Sequence, residues 1–292
     1  MLPNLIILGA MKSGTTSLHE YLSYHPEIFM SRRKELNFFV EHQEWRRGVD
    51  WYASHFGGSE GATVRGESSP NYTRHPLFPG VPERMHALLP EAKLIYCVRD
   101  PIKRFVSHYL HSYSLGAEDR SLEEVAALTD TPYLLCSLYS FQLERFLEFY
   151  PPTQIKVVVL EELQRRPQET LRSVFAFLGV DPSYEDARFA VPSRTMPPVA
   201  VRRRGPLKRW LVRRNKRGVY WIERNLPWLF GPPIGLPALS AELRQRLAEA
   251  FAEDTDRLRR WTGYDLASWG TSADAASDGR DAEARCARQF AG

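Results

Sequence analysis

The chain has 292 residues, 43% of them hydrophobic and 25% charged, which is enough to bury a sizeable core and ordinary for a globular protein. The formal net charge is +4, but nine basic and no acidic residues lie between Arg202 and Arg217, so the rest carries 30 basic against 35 acidic side chains. The basicity is therefore local, and it asks for a local partner. Three widely spaced cysteines, Cys97, Cys136 and Cys286, exclude a disulfide framework or a zinc knuckle. No stretch reaches the roughly 20 apolar residues of a membrane span, and the first strand starts too early for a signal peptide, so a cytoplasmic enzyme is expected.

The first element is also the most informative. Leu5-Ile6-Ile7-Leu8 is an apolar run ending at Gly9, and Gly9-Ala10-Met11-Lys12-Ser13-Gly14 is a short glycine-bounded loop. Thr15, Thr16 and Ser17 then open a helix. Strand, loop and helix start form an anion cradle, in which glycines admit the ligand, helix-start amides point at it, and Lys12 adds charge. Lys12 precedes the second glycine, unlike the lysine of nucleotide triphosphatases.

Next, Thr16 to His25 reads as a helix ended by Pro26. Phe29 to Phe39 mixes basic, acidic and aromatic residues without period and reads as a loop. Trp51, Tyr52 and Phe56 are spaced for one face of a short helix over 51–56, and Val64 to Glu67 is a short strand. Pro82 to Leu89 reads as a helix and Lys93 to Val98 as a buried strand. Asp100 and Pro101 are placed to cap and start another helix, which presents Arg104, Ser107 and His108. A helix from Leu138 to Tyr150, a strand from Ile155 to Leu160 and a helix from Pro167 to Leu178 follow. This alternation predicts a parallel sheet with ligands at the carboxyl ends of the strands, where Gly9, Glu67 and Arg99 all fall.

From Pro192 the texture changes to prolines, the basic run, and then Trp221, Trp228, Leu229 and Phe230. Arg202 to Arg204 suit contact with a bound donor or acceptor, and residues 207–230 also suit an anionic membrane surface. Nucleic acid ranks last because no recognition fold accompanies the charge. Leu239 to Trp261 is an amphipathic helix in which Leu243, Leu247, Ala250, Phe251, Asp254 and Leu258 alternate with arginines and glutamates, behind the cap candidate Ser240 with Leu243 packing inward. Residues 271–292 read as a disordered tail. No histidine stands at metal-ligand spacing, and His108 is the one placed to approach a ligand at the cradle.

Together these segments resemble the sulfotransferases that use 3′-phosphoadenosine 5′-phosphosulfate, especially the carbohydrate (heparan sulfate) branch and its bacterial relatives. Gly9 to Ser17 is similar to the family's 5′-phosphosulfate loop, and Tyr96 to Tyr109 is similar to its 3′-phosphate motif. Lys34 to Phe39, Gly48 to Tyr52 and Gly66 to Tyr72 follow in the family's order, so the resemblance covers residues 4–180. It implies an α/β, P-loop-like three-layer fold, with a central parallel sheet flanked by helices and a helical C-terminal extension. A single domain would span 1–270, with 192–238 as a lid or acceptor-side insertion and 239–262 as the C-terminal helix.

By the same resemblance, Lys12 neutralises the leaving phosphate, and Lys12, Ser13, Gly14, Thr15, Thr16 and Ser17 hold the donor's 5′ end. Arg99 and Ser107 bind the 3′-phosphate, Tyr139 lies near the nucleotide, and Arg203 and Arg204 supply a closing basic element. Glu35 is the base toward the acceptor hydroxyl or amine, and no metal is required. Ser68 stands where many carbohydrate sulfotransferases carry a lysine. The acceptor is expected to be a carbohydrate, a lipid or a small molecule. The competing readings are an ATP-dependent phosphoryl transferase on the same cradle and a nucleotide- or membrane-binding protein without turnover.

Overall fold

A computed structural model of the protein describes residues 1–190 and 239–270. The basic run with Arg203 and Arg204, the 192–238 insertion, the 207–230 segment and the 271–292 tail lie outside the described residues. At its centre is a sheet built from β1 (Leu5–Gly9), β2 (Ile28–Met30), β3 (Val64–Ser68), β4 (Lys93–Val98) and β5 (Ile155–Val159), in the order β2-β3-β1-β4-β5. All its pairings are parallel. β1 is buried at every position, as a strand covered on both faces must be.

β2 is a correction to the expected loop. Three residues are too few to show a period, and the strand exists because Ile28, Phe29 and Met30 pair with Val64, Arg65 and Gly66 of β3.

The helices are α1 (Thr15–Leu22), α2 (Gly48–Ser54), α3 (Val81–Leu88), α4 (Pro101–Leu115), α5 (Leu122–Ala126), α6 (Pro132–Leu135), α7 (Tyr139–Leu147), α8 (Leu160–Arg165), α9 (Pro167–Leu178) and α10 (Ala241–Thr262). α1 stops three residues short of the expected His25, and α2 starts at Gly48 instead of Trp51. α9 matches its expected bounds, because Pro167 starts it and Gly179 ends it in a left-handed turn.

The strand period of two divides β1 between two cores. Ile6 and Leu8 pack with Tyr52, Met85, Tyr139, Leu143, Phe146 and Leu258 on one face of the sheet. Leu5 and Ile7 pack with Leu18, Leu22, Leu171, Phe175 and Leu178 on the other. A third cluster joins α4, α5, α6 and α10 through Phe105, Tyr109, Val125, Tyr133, Leu247 and Phe251.

The chain leaves β1 toward β2 and leaves β4 toward β5, although β1 and β4 are neighbours. Their carboxyl ends therefore flank a topological switch point, the place where open α/β sheets bind ligands.

Candidate active site

The loop between β1 and α1 sits at that switch point. Its turn is closed by Ser13 N donating to Ala10 O at 3.1 Å, and it is tied to β4 by Ala10 N donating to Cys97 O at 2.6 Å. Gly14 precedes α1 with φ 84°, and a Cβ there would meet Leu160 Cδ1 at 2.5 Å, so only glycine fits without a shift. No side chain caps α1 and no acidic residue occupies its first turn. The amides that open the helix are thus left for an anion.

Lys12 adopts φ 71°, a left-handed conformation that costs a non-glycine residue about 1–2 kcal/mol. Burial holds its ammonium below the usual lysine range, and the nearby Arg99 guanidinium pushes in the same direction. Arg99 follows the end of β4 and donates from Nη1 to Lys12 O at 3.3 Å, so the two candidate motifs meet directly. Arg99 Nε is buried without a hydrogen-bond partner, as is Ser13 Oγ, although the Tyr139 hydroxyl lies near the latter. Two orphaned polar groups beside two cations are what a bound, multiply charged anion would satisfy.

Ser107 lies on α4, half-buried, beyond the Asp100 cap. That cap forms as the sequence predicts, Asp100 Oδ1 accepting from Ile102 N at 2.8 Å and Lys103 N at 3.0 Å. Thr15 is buried, while Thr16 and Ser17 are half-buried in the first turn of α1.

Tyr139 is buried at the start of α7. Its hydroxyl donates to Arg99 O at 2.8 Å and accepts from Arg99 N at 3.3 Å. What the structure shows for Tyr139 is therefore a clamp on the Arg99 backbone.

Glu35 stands on the loop after β2, with its side chain 53% exposed and Lys34 Nζ 3.2 Å from Oε1. Its amide donates to Ser68 O at 2.9 Å, which fastens the loop along the end of β3. Both Glu35 and Asn37 are left-handed, at φ 64° and 53°.

Arg104, His108, Glu67 and His19 make buried contacts that were not assigned from sequence. Arg104 is fully buried beneath the loop, where Nε donates to Ser137 Oγ at 2.6 Å, Nη1 to Met11 O at 3.4 Å, and Nη2 to Tyr133 O. His108 Nδ1 lies 3.2 Å from Arg104 Nη1, and burial first, then Arg104, pushes the imidazole down to about 2. A neutral His108 thus accepts from Arg104. Glu67, at the end of β3, is fully buried and accepts hydrogen bonds from Tyr72, Tyr52 and Ser69. His19 on α1 pairs through Nδ1 with Ser68 Oγ at 2.9 Å, and burial is the main cause that brings its imidazole down to about 4.

Comparison with known proteins agrees with this geometry. The sulfotransferase domain family matches residues 2–192. The human bifunctional heparan sulfate N-deacetylase/N-sulfotransferase 2 is 32% identical over 200 residues, covering 62% of this chain and 22% of that protein. The mouse heparan sulfate glucosamine 3-O-sulfotransferase 5 is 30% identical over 193 residues, covering 62% of this chain and 54% of that one. The chain thus spans about a fifth to a half of the length of these relatives. A crystal structure of a sulfotransferase from Alicyclobacillus acidocaldarius superposes with a TM-score of 0.68 at 26% identity, covering 92% of this chain and 99% of that chain. With the loop after β1 joined to the end of β4 at the crevice and the family matching well over half its length, this chain belongs to the sulfotransferase family of enzymes.

Proposed function

We propose that this enzyme transfers a sulfuryl group from 3′-phosphoadenosine 5′-phosphosulfate to a hydroxyl or amine acceptor by in-line displacement. The observation that carries the reading is the meeting of Lys12 and Arg99, joined at 3.3 Å, with Arg99 Nε and Ser13 Oγ buried and unsatisfied between the two motifs. The donor supplies an activated sulfuryl group on a 5′-phosphate and carries a 3′-phosphate that ATP lacks. Lys12 and the amides and hydroxyls from Ser13 to Ser17 would hold the 5′ end, and Arg99 with Ser107 the 3′-phosphate.

Sulfuryl transfer resembles phosphoryl transfer, in which positioning and charge stabilisation do most of the catalysis. Lys12 meets the charge that grows on the leaving phosphate. Glu35, exposed on the loop after β2, takes the acceptor's proton. Sequence alone supports Arg203 and Arg204 as further donor contacts and 207–230 as a peripheral membrane contact. The names of the relatives, which include both an N- and a 3-O-sulfotransferase of heparan sulfate, support a carbohydrate acceptor.

Calorimetry with adenosine 3′,5′-bisphosphate against ADP tests the donor. The bisphosphate should bind more tightly, and Arg99→Ala should weaken it by roughly one to two orders of magnitude, the worth of charged hydrogen bonds. Equal affinity for ADP would sink the assignment and favour a phosphoryl transferase.

A further inference from the structure

The loop that carries Glu35 is fastened to the end of β3 at three points: Ser31 N donates to Gly66 O at 2.9 Å, Glu35 N to Ser68 O at 2.9 Å, and Asn37 N to Ser69 Oγ at 2.9 Å. Only the last anchor is a side chain. Ser69 Oγ in turn donates to Glu67 Oε2 at 2.6 Å, while Oε1 accepts from Tyr72 at 2.6 Å and Tyr52 at 3.3 Å.

A serine hydroxyl has one proton and two lone pairs. Because the proton is committed to Glu67, a lone pair is directed at the Asn37 amide. That amide closes a segment in which Glu35 and Asn37 are both left-handed and Leu36 between them is fully buried. Left-handed non-glycine residues persist only where their surroundings over-determine them.

We propose that Glu67 is a positioning residue for the acceptor side of the reaction: through Ser69 it holds the Glu35 loop, and it sets turnover without touching the donor. The proposal rests on the reading of Glu35 as the base. The ionised carboxylate is the form that takes all three hydroxyl protons. Burial pushes this carboxyl up to about 7, against the opposing pull of Ser69, Tyr72 and Tyr52 and of the Lys34 charge that faces it from the loop. As pH falls through about 7, Glu67 takes up a proton of its own, the hydroxyls must reorganise, and the hold on Asn37 loosens. Turnover should therefore fall on the acid side while donor affinity stays level.

The test compares full-length wild type, Ser69→Ala, Ser69→Thr and Glu67→Gln. Hydrogen–deuterium exchange over residues 31–39 should speed up in Ser69→Ala and return to the wild-type rate in Ser69→Thr. Ser69→Ala should lower kcat about tenfold, the equivalent of one hydrogen bond of roughly 1.4 kcal/mol, with affinity for adenosine 3′,5′-bisphosphate changed less than twofold. Glu67→Gln should show the low rate at every pH and lose the acid limb near pH 7. If Glu67→Gln fails to fold, the serine pair still decides the matter. Unchanged exchange in Ser69→Ala, or donor affinity falling in step with kcat, would overturn the proposal. Faster exchange with unchanged kcat would uphold the fastening and remove Glu35 from the chemistry instead, so the two failures are told apart.

Discussion

At the scale of single residues, Lys12 is held in a form suited to meeting charge. Its left-handed backbone is fixed by the loop, its carbonyl is gripped by Arg99, and burial beside Arg99 makes its ammonium avid for an anion. An interaction that strengthens as charge develops affects rate more than ground-state binding. Lys12→Ala should therefore lower kcat by about a hundredfold or more while weakening adenosine 3′,5′-bisphosphate by about tenfold or less. Steady-state kinetics beside calorimetry would show it, and a loss confined to binding would contradict the role. Lys12 and Arg99 were legible in the sequence because each sits at a strand end announced by an apolar run. Arg104 was not placed, since a guanidinium held by Ser137, Met11 O and Tyr133 O depends on partners 29 to 93 positions away.

At the scale of elements, the junction of α10 with α7 shows a period carrying a polar residue inward for a purpose. Asp254 occupies an inner position of α10 and is 3% exposed. It reaches the first turn of α7, where Oδ2 accepts from Ser140 N at 2.9 Å and Oδ1 from Phe141 N at 2.9 Å. It acts as a capping carboxylate supplied from another helix, and Ser140 Oγ donates back to Asp254 O at 2.8 Å. Asp254→Ala should destabilise the fold by about 1–3 kcal/mol, since two buried amides lose their acceptor. Urea unfolding would measure it. Because Tyr139 opens α7 and clamps Arg99, a modest loss of donor affinity should accompany it. An unchanged midpoint would show that water replaces the carboxylate. Asp254 recurs with the apolar positions of α10, and only the packing of α10 on α7 revealed what it faces.

At the scale of the whole molecule, the segment after α10 returns to the site. Trp269 lies against the Tyr139 ring at 6.0 Å between centroids, and Gly270 N donates to Asp100 Oδ2 at 3.1 Å. Residues distant in sequence thus brace both the cap of α4 and the clamp on Arg99. Trp269→Ala should reduce affinity for adenosine 3′,5′-bisphosphate several-fold while leaving helical content by circular dichroism unchanged. Equal affinity would show the brace to be idle. None of the described helices is long and apolar enough to cross a membrane.

The sequence alone determined the alternating α/β order, the parallel sheet, the glycine-bounded loop after β1 and the capped start of α4, because these follow from local features: apolar runs, glycine positions, and caps such as Asp100-Pro101. Glu35 was assigned a role only through resemblance, since an exposed glutamate beside a lysine has no local signature. Tertiary structure decided the rest. The edge strand β2 exists only by pairing with β3. Tyr139 became a clamp on Arg99 once α7 met the end of β4. Glu67 became a buried acceptor of three hydroxyls because α2 and the turn after β3 converge on it. Burial and hydrogen-bond partners between distant segments are set by how the layers pack, and local sequence does not encode those distances.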